Sequence, residues 1–155
     1  MTDQQFEALA RAYMDTVFRI AFSMTGSKAD ADDITQTVLL RLYRAEKEFA
    51  SDAHIKNWLV RVTVNECRKL WRSPWSRTED FDAYAETLTF EAPEHSELFH
   101  AVMALDRKYR TVILLHYYEG YSIAEMAALL GVPPGTVGTR LRRAREKLKD
   151  QLTEE

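Results

Sequence analysis

Cysteine is almost missing from this sequence: Cys67 stands alone among 155 residues. One thiol allows neither an internal disulfide framework nor a thiolate metal cluster. Cys67 reads as a small buried hydrophobe, with a redox role as the alternative. Only five glycines are present, and none sits in a phosphate-binding loop. HExxH and nucleophile-elbow patterns are also missing. The four histidines, His54, His95, His100 and His116, lack metal-ligand spacing. Carboxylates do not pair across an apolar pocket but gather in the middle of the chain. No catalytic residue, metal site, cofactor or enzymatic activity is therefore expected. Long apolar runs are absent as well. Val112–Leu115 is far short of the roughly 20 residues of a membrane span. The opening MTDQQFEALARAYMDT has no apolar signal region. The expectation is a soluble, cytoplasmic protein with no membrane insertion.

What is present is a hydrophobic fraction of 46%, enough to build a core in one domain or two small ones. The formal net charge of −3 argues against a nucleic-acid partner only until it is divided. Residues 1–73 carry 11 Lys/Arg and 10 Asp/Glu, net +1. Residues 74–106 carry 1 and 8, net −7. Residues 107–155 carry 9 and 6, net +3. The acidity sits in the middle, and the flanks are basic.

Helical periodicity dominates both flanks. Phe6, Leu9, Tyr13, Val17, Ile20 and Met24 predict a scaffold helix from Asp3 to about Met24. Thr25-Gly26-Ser27 breaks it, and Ser27 caps a second helix to about Lys47. There Ala31, Ile34, Val38, Leu42 and Ala45 face one way, and Asp33, Gln36, Thr37, Leu40 and Arg44 the other. A leucine among polar groups suits a partner surface, although single exposed leucines are also common. A third helix follows a break at Phe49–Ala53, with Asp52 as its expected cap, and runs to about Trp71. Its apolar side is Ile55, Leu59, Val62 and Leu70. Trp58, Arg61, Asn65, Arg68, Lys69 and Arg72 share the opposite sector. Cations neutralise phosphates, aromatics stack on unpaired bases and amides read base edges. Alone, Trp58 is equally a core residue and the arginines a solvated face.

Residues 74–94 read as an acidic linker with Trp75, Phe81, Tyr84 and Phe90 interspersed. Beyond it, Ser96 starts a helix with an apolar stripe of Leu98, Ala101, Val102 and Leu105. A nearly all-apolar helix from about Arg107 to Glu119 carries Tyr109, Val112, Ile113, Leu115 and Tyr117 and is expected to be buried. Ser122 and Glu125 then form a capping box. Ile123, Met126, Ala127 and Leu130 make an apolar face, and Gly131 ends the helix. Pro133 and Pro134 open another helix, with Val137, Leu141, Ala144 and Leu148 on one arc. Thr136, Thr139, Arg140, Arg143 and Lys147 fall on the other side. This is a helix-turn-helix, whose second helix enters the DNA major groove.

Three stretches, DADDITQTVLLRLYR, WLVRVTVNECRKLWRS and YRTVILLHYYEGYSIAEMAALLGVPPGTVGTRLRRAREKL, together resemble the extracytoplasmic-function (ECF) group of bacterial sigma-70 factors. The resemblance implies an all-α fold. A region 2-like bundle (1–73) and a region 4-like helix-turn-helix domain (95–155) would be joined by the linker 74–94. It implies a transcription initiation factor that binds core RNA polymerase and directs it to promoters. Asp33, Gln36, Thr37, Leu40 and Arg44 would meet the clamp helices of the β′ subunit. Trp58, Arg61, Asn65, Arg68, Lys69 and Arg72 would engage the −10 element as its strands melt, beside a base pocket near Phe49–His54. Thr136, Thr139, Arg140, Arg143 and Lys147 would read the double-stranded −35 element, and the apolar side of that module would meet the β flap. An anti-sigma factor is a further implied partner. Three positions depart from the family pattern: Gly138 where Lys or Arg is frequent, Pro133 where serine often caps the helix, and Thr37 where glutamate is common. Two rivals predict other behaviour. A dimeric helix-turn-helix regulator needs symmetric half-sites and no polymerase, and a sigma-like decoy binds polymerase or an anti-sigma factor without initiating.

Overall fold

The structure, a computed structural model, describes residues 1–71 and 96–153. Arg72 and the whole linker 74–94, with its four aromatic residues, lie outside them, as does His95. The described residues fall into two compact units, 1–71 and 96–153, and both are helical, with no strand among the described residues.

The first unit is three helices, α1 (Asp3–Thr25), α2 (Lys28–Arg44) and α3 (Asp52–Trp71). Thr2 caps α1 through a capping box with Gln5, satisfying two orphan donors at once. Gly26 ends it at φ 71°, a left-handed conformation that costs a side-chain-bearing residue but not glycine. Ser27 Oγ then accepts from the Asp30 N–H, so α2 starts at once and folds back as a hairpin. Every residue from Ile20 to Ser27 is buried, so this corner is the heart of the unit. Val17, Ile20 and Met24 of α1 and Ala31, Ile34, Val38 and Leu42 of α2 are buried where the two helices pack. The Trp71 indole N–H, at the end of α3, donates to the Met24 carbonyl of this corner at 2.8 Å.

Two expectations need correction. The second helix stops at Arg44 rather than Lys47, leaving Ala45 outside it and half-buried. The buried side of α3 is Ile55, Leu59, Val60, Thr63, Val64 and Cys67; Val62 and Leu70 are only half-buried. The core-facing arc is rotated from the expected one because small β-branched residues pack against α1 and α2. Thr63 enters it by bonding its hydroxyl back to the Leu59 carbonyl at 2.7 Å.

The second unit comprises α4 (Ser96–Met103), α5 (Arg107–Ile113), α6 (Ile123–Leu130) and α7 (Pro134–Thr153). A wide π turn, Leu114–Tyr118, continues α5. Phe99, Val102, Met103, Leu105, Val112, Leu115, Met126, Val137, Leu141 and Ala144 form the core. Leu98 and Ile123 were expected inside but are exposed, as is Tyr117. Arg110 is buried instead, and its guanidinium donates to the Leu105 carbonyl at 3.1 Å. Burial pushes its pKa down to about 10, with Arg107 adding and Asp106 opposing. Arg110 thus remains charged at neutral pH, pinning the α4–α5 corner.

Candidate functional site

Three surfaces collect the candidate residues. The first is the outer face of α2. Asp33, Gln36, Leu40 and Arg44 are exposed and Thr37 is half-exposed. Leu40 leaves 46% of its surface in water. The Thr37 hydroxyl donates to the Asp33 carbonyl at 3.0 Å, so the helix itself satisfies its polar group. Beside them Tyr43 is 48% exposed, a feature the sequence reading passed over. Its hydroxyl donates to the Asp3 carboxylate at 3.1 Å, and its ring stands edge-on to Phe6. That bond to Asp3 raises the Tyr43 pKa. Arg41 reaches Glu66 of α3 at 2.6 Å, which fixes the edge of this face.

The second surface is the outer sector of α3. Arg61, Asn65 and Lys69 are exposed; Trp58 and Arg68 are half-buried. Steps of three and four place all five on the side opposite the core. Their placement follows directly from the helical period, but the state of Trp58 does not. Its ring lies 5.6 Å from Phe49 at 69°, so it is engaged by the preceding turn. His54, which occupies the same sector one turn before Trp58, also stands edge-on to Phe49 at 5.3 Å. The turn is capped by Ser51, whose hydroxyl accepts from the His54 N–H at 3.2 Å; Asp52, the expected cap, is the first helical residue.

The third surface belongs to α7. The capping box of Ser122 and Glu125 is present in both directions, at 3.0 and 3.1 Å. It lowers the Glu125 pKa through the bonds to Ser122. Gly131 turns the chain at φ 67°, and α7 starts at Pro134. Val137, Leu141 and Ala144 are fully buried against the unit, and Leu148 is half-buried. Thr136, Thr139, Arg140 and Arg143 line an open cleft of about 380 Å³. Its far wall is Lys108 and Tyr109 of α5, which the sequence reading did not connect to it. Lys147 is exposed, yet its ammonium lies 5.6 Å from the Tyr109 ring, and Lys108 lies 5.1 Å from the same ring. A cation–π contact of this kind holds a lysine stem in place without neutralising it. The cleft therefore gathers cations and hydroxyls and no lining carboxylate, a surface suited to phosphates and base edges. On the opposite flank of α7 the Arg145 guanidinium donates to the Tyr117 hydroxyl at 2.5 Å. Among the described residues no cluster of three His, Cys, Asp or Glu side chains is disposed to hold a metal. No helix among them is long and apolar enough to cross a membrane.

The model for Sigma-70 region 2 matches residues 9–77, and that for Sigma-70, region 4 matches residues 95–148. The ECF RNA polymerase sigma factor SigW of Bacillus subtilis is 30% identical over 165 residues, covering 95% of this chain and 88% of SigW. The chain belongs to the ECF sigma factors of the sigma-70 family. ECF sigma factor SigE of Mycolicibacterium smegmatis is 29% identical over 158 residues; the match covers 95% of this chain but only 61% of SigE. CnrH, solved in complex with the cytosolic domain of CnrY, superposes with a TM-score of 0.65 at 27% identity, covering 99% of this chain and 91% of CnrH. As an ECF sigma factor the chain is a transcription initiation factor that directs RNA polymerase to promoters. A dimeric helix-turn-helix regulator would leave the region 2 match over residues 9–77 unexplained.

Proposed function

We propose that this sigma factor divides its work between three surfaces. Residues 1–73 bind core polymerase through Asp33, Gln36, Thr37, Leu40 and Arg44 on the β′ clamp helices. The same domain melts the −10 element with Arg61, Asn65, Arg68, Lys69 and Arg72. Residues 95–155 read the −35 element as a duplex through Thr136, Thr139, Arg140 and Arg143, with Lys147 on a phosphate, and meet the β flap. Residues 74–94 join the two domains. The reading is carried above all by the α3 sector, in which two exposed cationic side chains flank an exposed amide directly opposite the core. Such a set neutralises a strand and reads an unpaired base at once.

The factor has no catalytic activity of its own and works in the cytoplasm. Its free promoter binding is weak, because each DNA surface is small and the linker is acidic. An anti-sigma factor is a further proposed partner, in keeping with CnrH having been solved with a protein partner. The α2 surface is the one to test first. Leu40→Arg is expected to lower affinity for core polymerase at least tenfold without moving the unfolding midpoint, since Leu40 is already half in water. Unchanged affinity would remove α2 from the polymerase interface.

A further inference from the structure

We propose that His54 is the positioning residue for the Phe49–Ser51 turn at the head of the α3 strand-opening face, and that Trp58 serves this turn rather than stacking on DNA. The inference rests on the −10 reading above and adds to it a residue outside the DNA-contacting set.

His54, Trp58, Arg61, Asn65 and Arg68 follow one another at steps of four, three, four and three. On a helix that spacing makes one continuous stripe, about 21 Å long at 1.5 Å per residue. Its C-terminal part is cationic and polar. Its N-terminal part is aromatic, and there the side chains turn toward the chain rather than to solvent. Phe49 sits edge-on to both His54 (5.3 Å, 72°) and Trp58 (5.6 Å, 69°). These are favourable aromatic geometries, and all three rings are half-buried.

His54 is also the hydrogen-bonding centre of the turn. The Ala50 N–H donates to His54 Nδ1 at 3.0 Å, while the His54 N–H donates to Ser51 Oγ at 3.2 Å. An Nδ1 that accepts carries no proton, so the other ring nitrogen holds it. His54 thus ties two consecutive exposed turn residues, Ala50 through its ring and Ser51 through its backbone N–H. The next residue is tied as well, because the Tyr13 hydroxyl donates to the Asp52 carbonyl at 3.4 Å. A turn held from three sides, with Ala50 and Ser51 exposed at the end of a cationic stripe, is preorganised to receive a separated strand. Preorganisation lowers the ordering cost of binding. Trp58, occupied by Phe49, supplies the floor of the turn.

The test uses the full chain with core RNA polymerase on a duplex promoter that this protein transcribes. Strand opening is read from permanganate reactivity of unpaired thymines, and polymerase binding is read separately. His54→Asn keeps an acceptor where Nδ1 lies; His54→Leu keeps the bulk and offers none. The leucine variant is expected to open the promoter roughly five- to tenfold less, the range for losing one hydrogen bond of this kind. The asparagine variant should stay within about twofold of the parent, and both should bind polymerase normally. Phe49→Leu, which leaves α3 intact, should reproduce the leucine defect. Normal opening by His54→Leu, or equal losses in the leucine and asparagine variants, would overturn the proposal. If His54→Leu also loses polymerase binding, Phe49→Leu decides: normal opening by that variant overturns the proposal. Asn65→Ala with Arg68→Ala in the same assay judges the underlying reading. If that double variant fails to open while His54→Leu opens normally, only the positioning role falls. If the double variant opens normally, the −10 reading falls and the proposal with it.

Discussion

Arg143 is an exposed side chain at the edge of the α7 cleft. If it contacts a base, Arg143→Ala costs about 1–3 kcal/mol of −35 binding, and the loss depends on the −35 sequence. Binding titrations against a panel of −35 variants check this; an equal loss on every sequence makes Arg143 a phosphate contact. Arg110 presents the opposite case. It is buried at the α4–α5 corner and donates to the Leu105 carbonyl. Arg110→Met leaves that carbonyl without its guanidinium and should destabilise the second unit by about 1–3 kcal/mol, visible as a lower urea midpoint. The exposure of Asp33, Leu40 and Arg143 was legible in the sequence because each lies on the side of its helix away from a regular apolar stripe. Arg110 was not, because a residue-type rule puts arginine outside, and only a carbonyl left over at a helix corner draws it in.

Among elements, helix caps were the easiest to read and helix phase the hardest. Ser27, Ser122, Glu125 and Gly131 act as their types and spacing require. Tyr117 does not, because Leu114–Tyr118 forms a π turn in which the Glu119 N–H reaches back to the Leu114 carbonyl. The wide turn rotates later side chains relative to a 3.6-residue period, and Tyr117 swings out to Arg145. Ile123 opens an eight-residue helix, and its first turn lies beyond the packed region. The capping box makes a prediction with a definite sign. The Glu125 pKa lies below its ordinary 4.5, so the unfolded chain takes up this proton first. The stabilisation is fully present above that value and is lost as pH falls through the lower folded pKa. Glu125→Gln should flatten this part of the acid limb of a stability-versus-pH curve. On α7, a Cβ added at Gly138 would meet nothing within 4 Å. Gly138→Ala should therefore stabilise the second unit by about 0.5–1 kcal/mol through helix propensity, measured by urea unfolding. No gain would mean that the glycine relieves a constraint elsewhere in α7.

On the scale of the whole molecule, the chain places opposite charges in different segments. A net charge of −3 conceals two basic flanks around an acidic middle, and each described unit gathers several of its cations on one helix face, Arg61, Arg68 and Lys69 on α3 and Arg140, Arg143 and Lys147 on α7. The two-unit, all-helical architecture was legible from periodicity and from the composition change after residue 73. The link between Lys108, Tyr109 and the α7 cleft was not, since it joins residues about thirty positions apart by tertiary packing. The two units are expected to act together on one polymerase. The most direct measurement is transcription reconstituted from core RNA polymerase, this protein and a responsive promoter. The expected result is a promoter-specific transcript that needs both proteins, with Asn65→Ala and Arg68→Ala together abolishing opening but not polymerase binding. A protein that binds no core polymerase, or a transcript that is the same without it, would contradict the account.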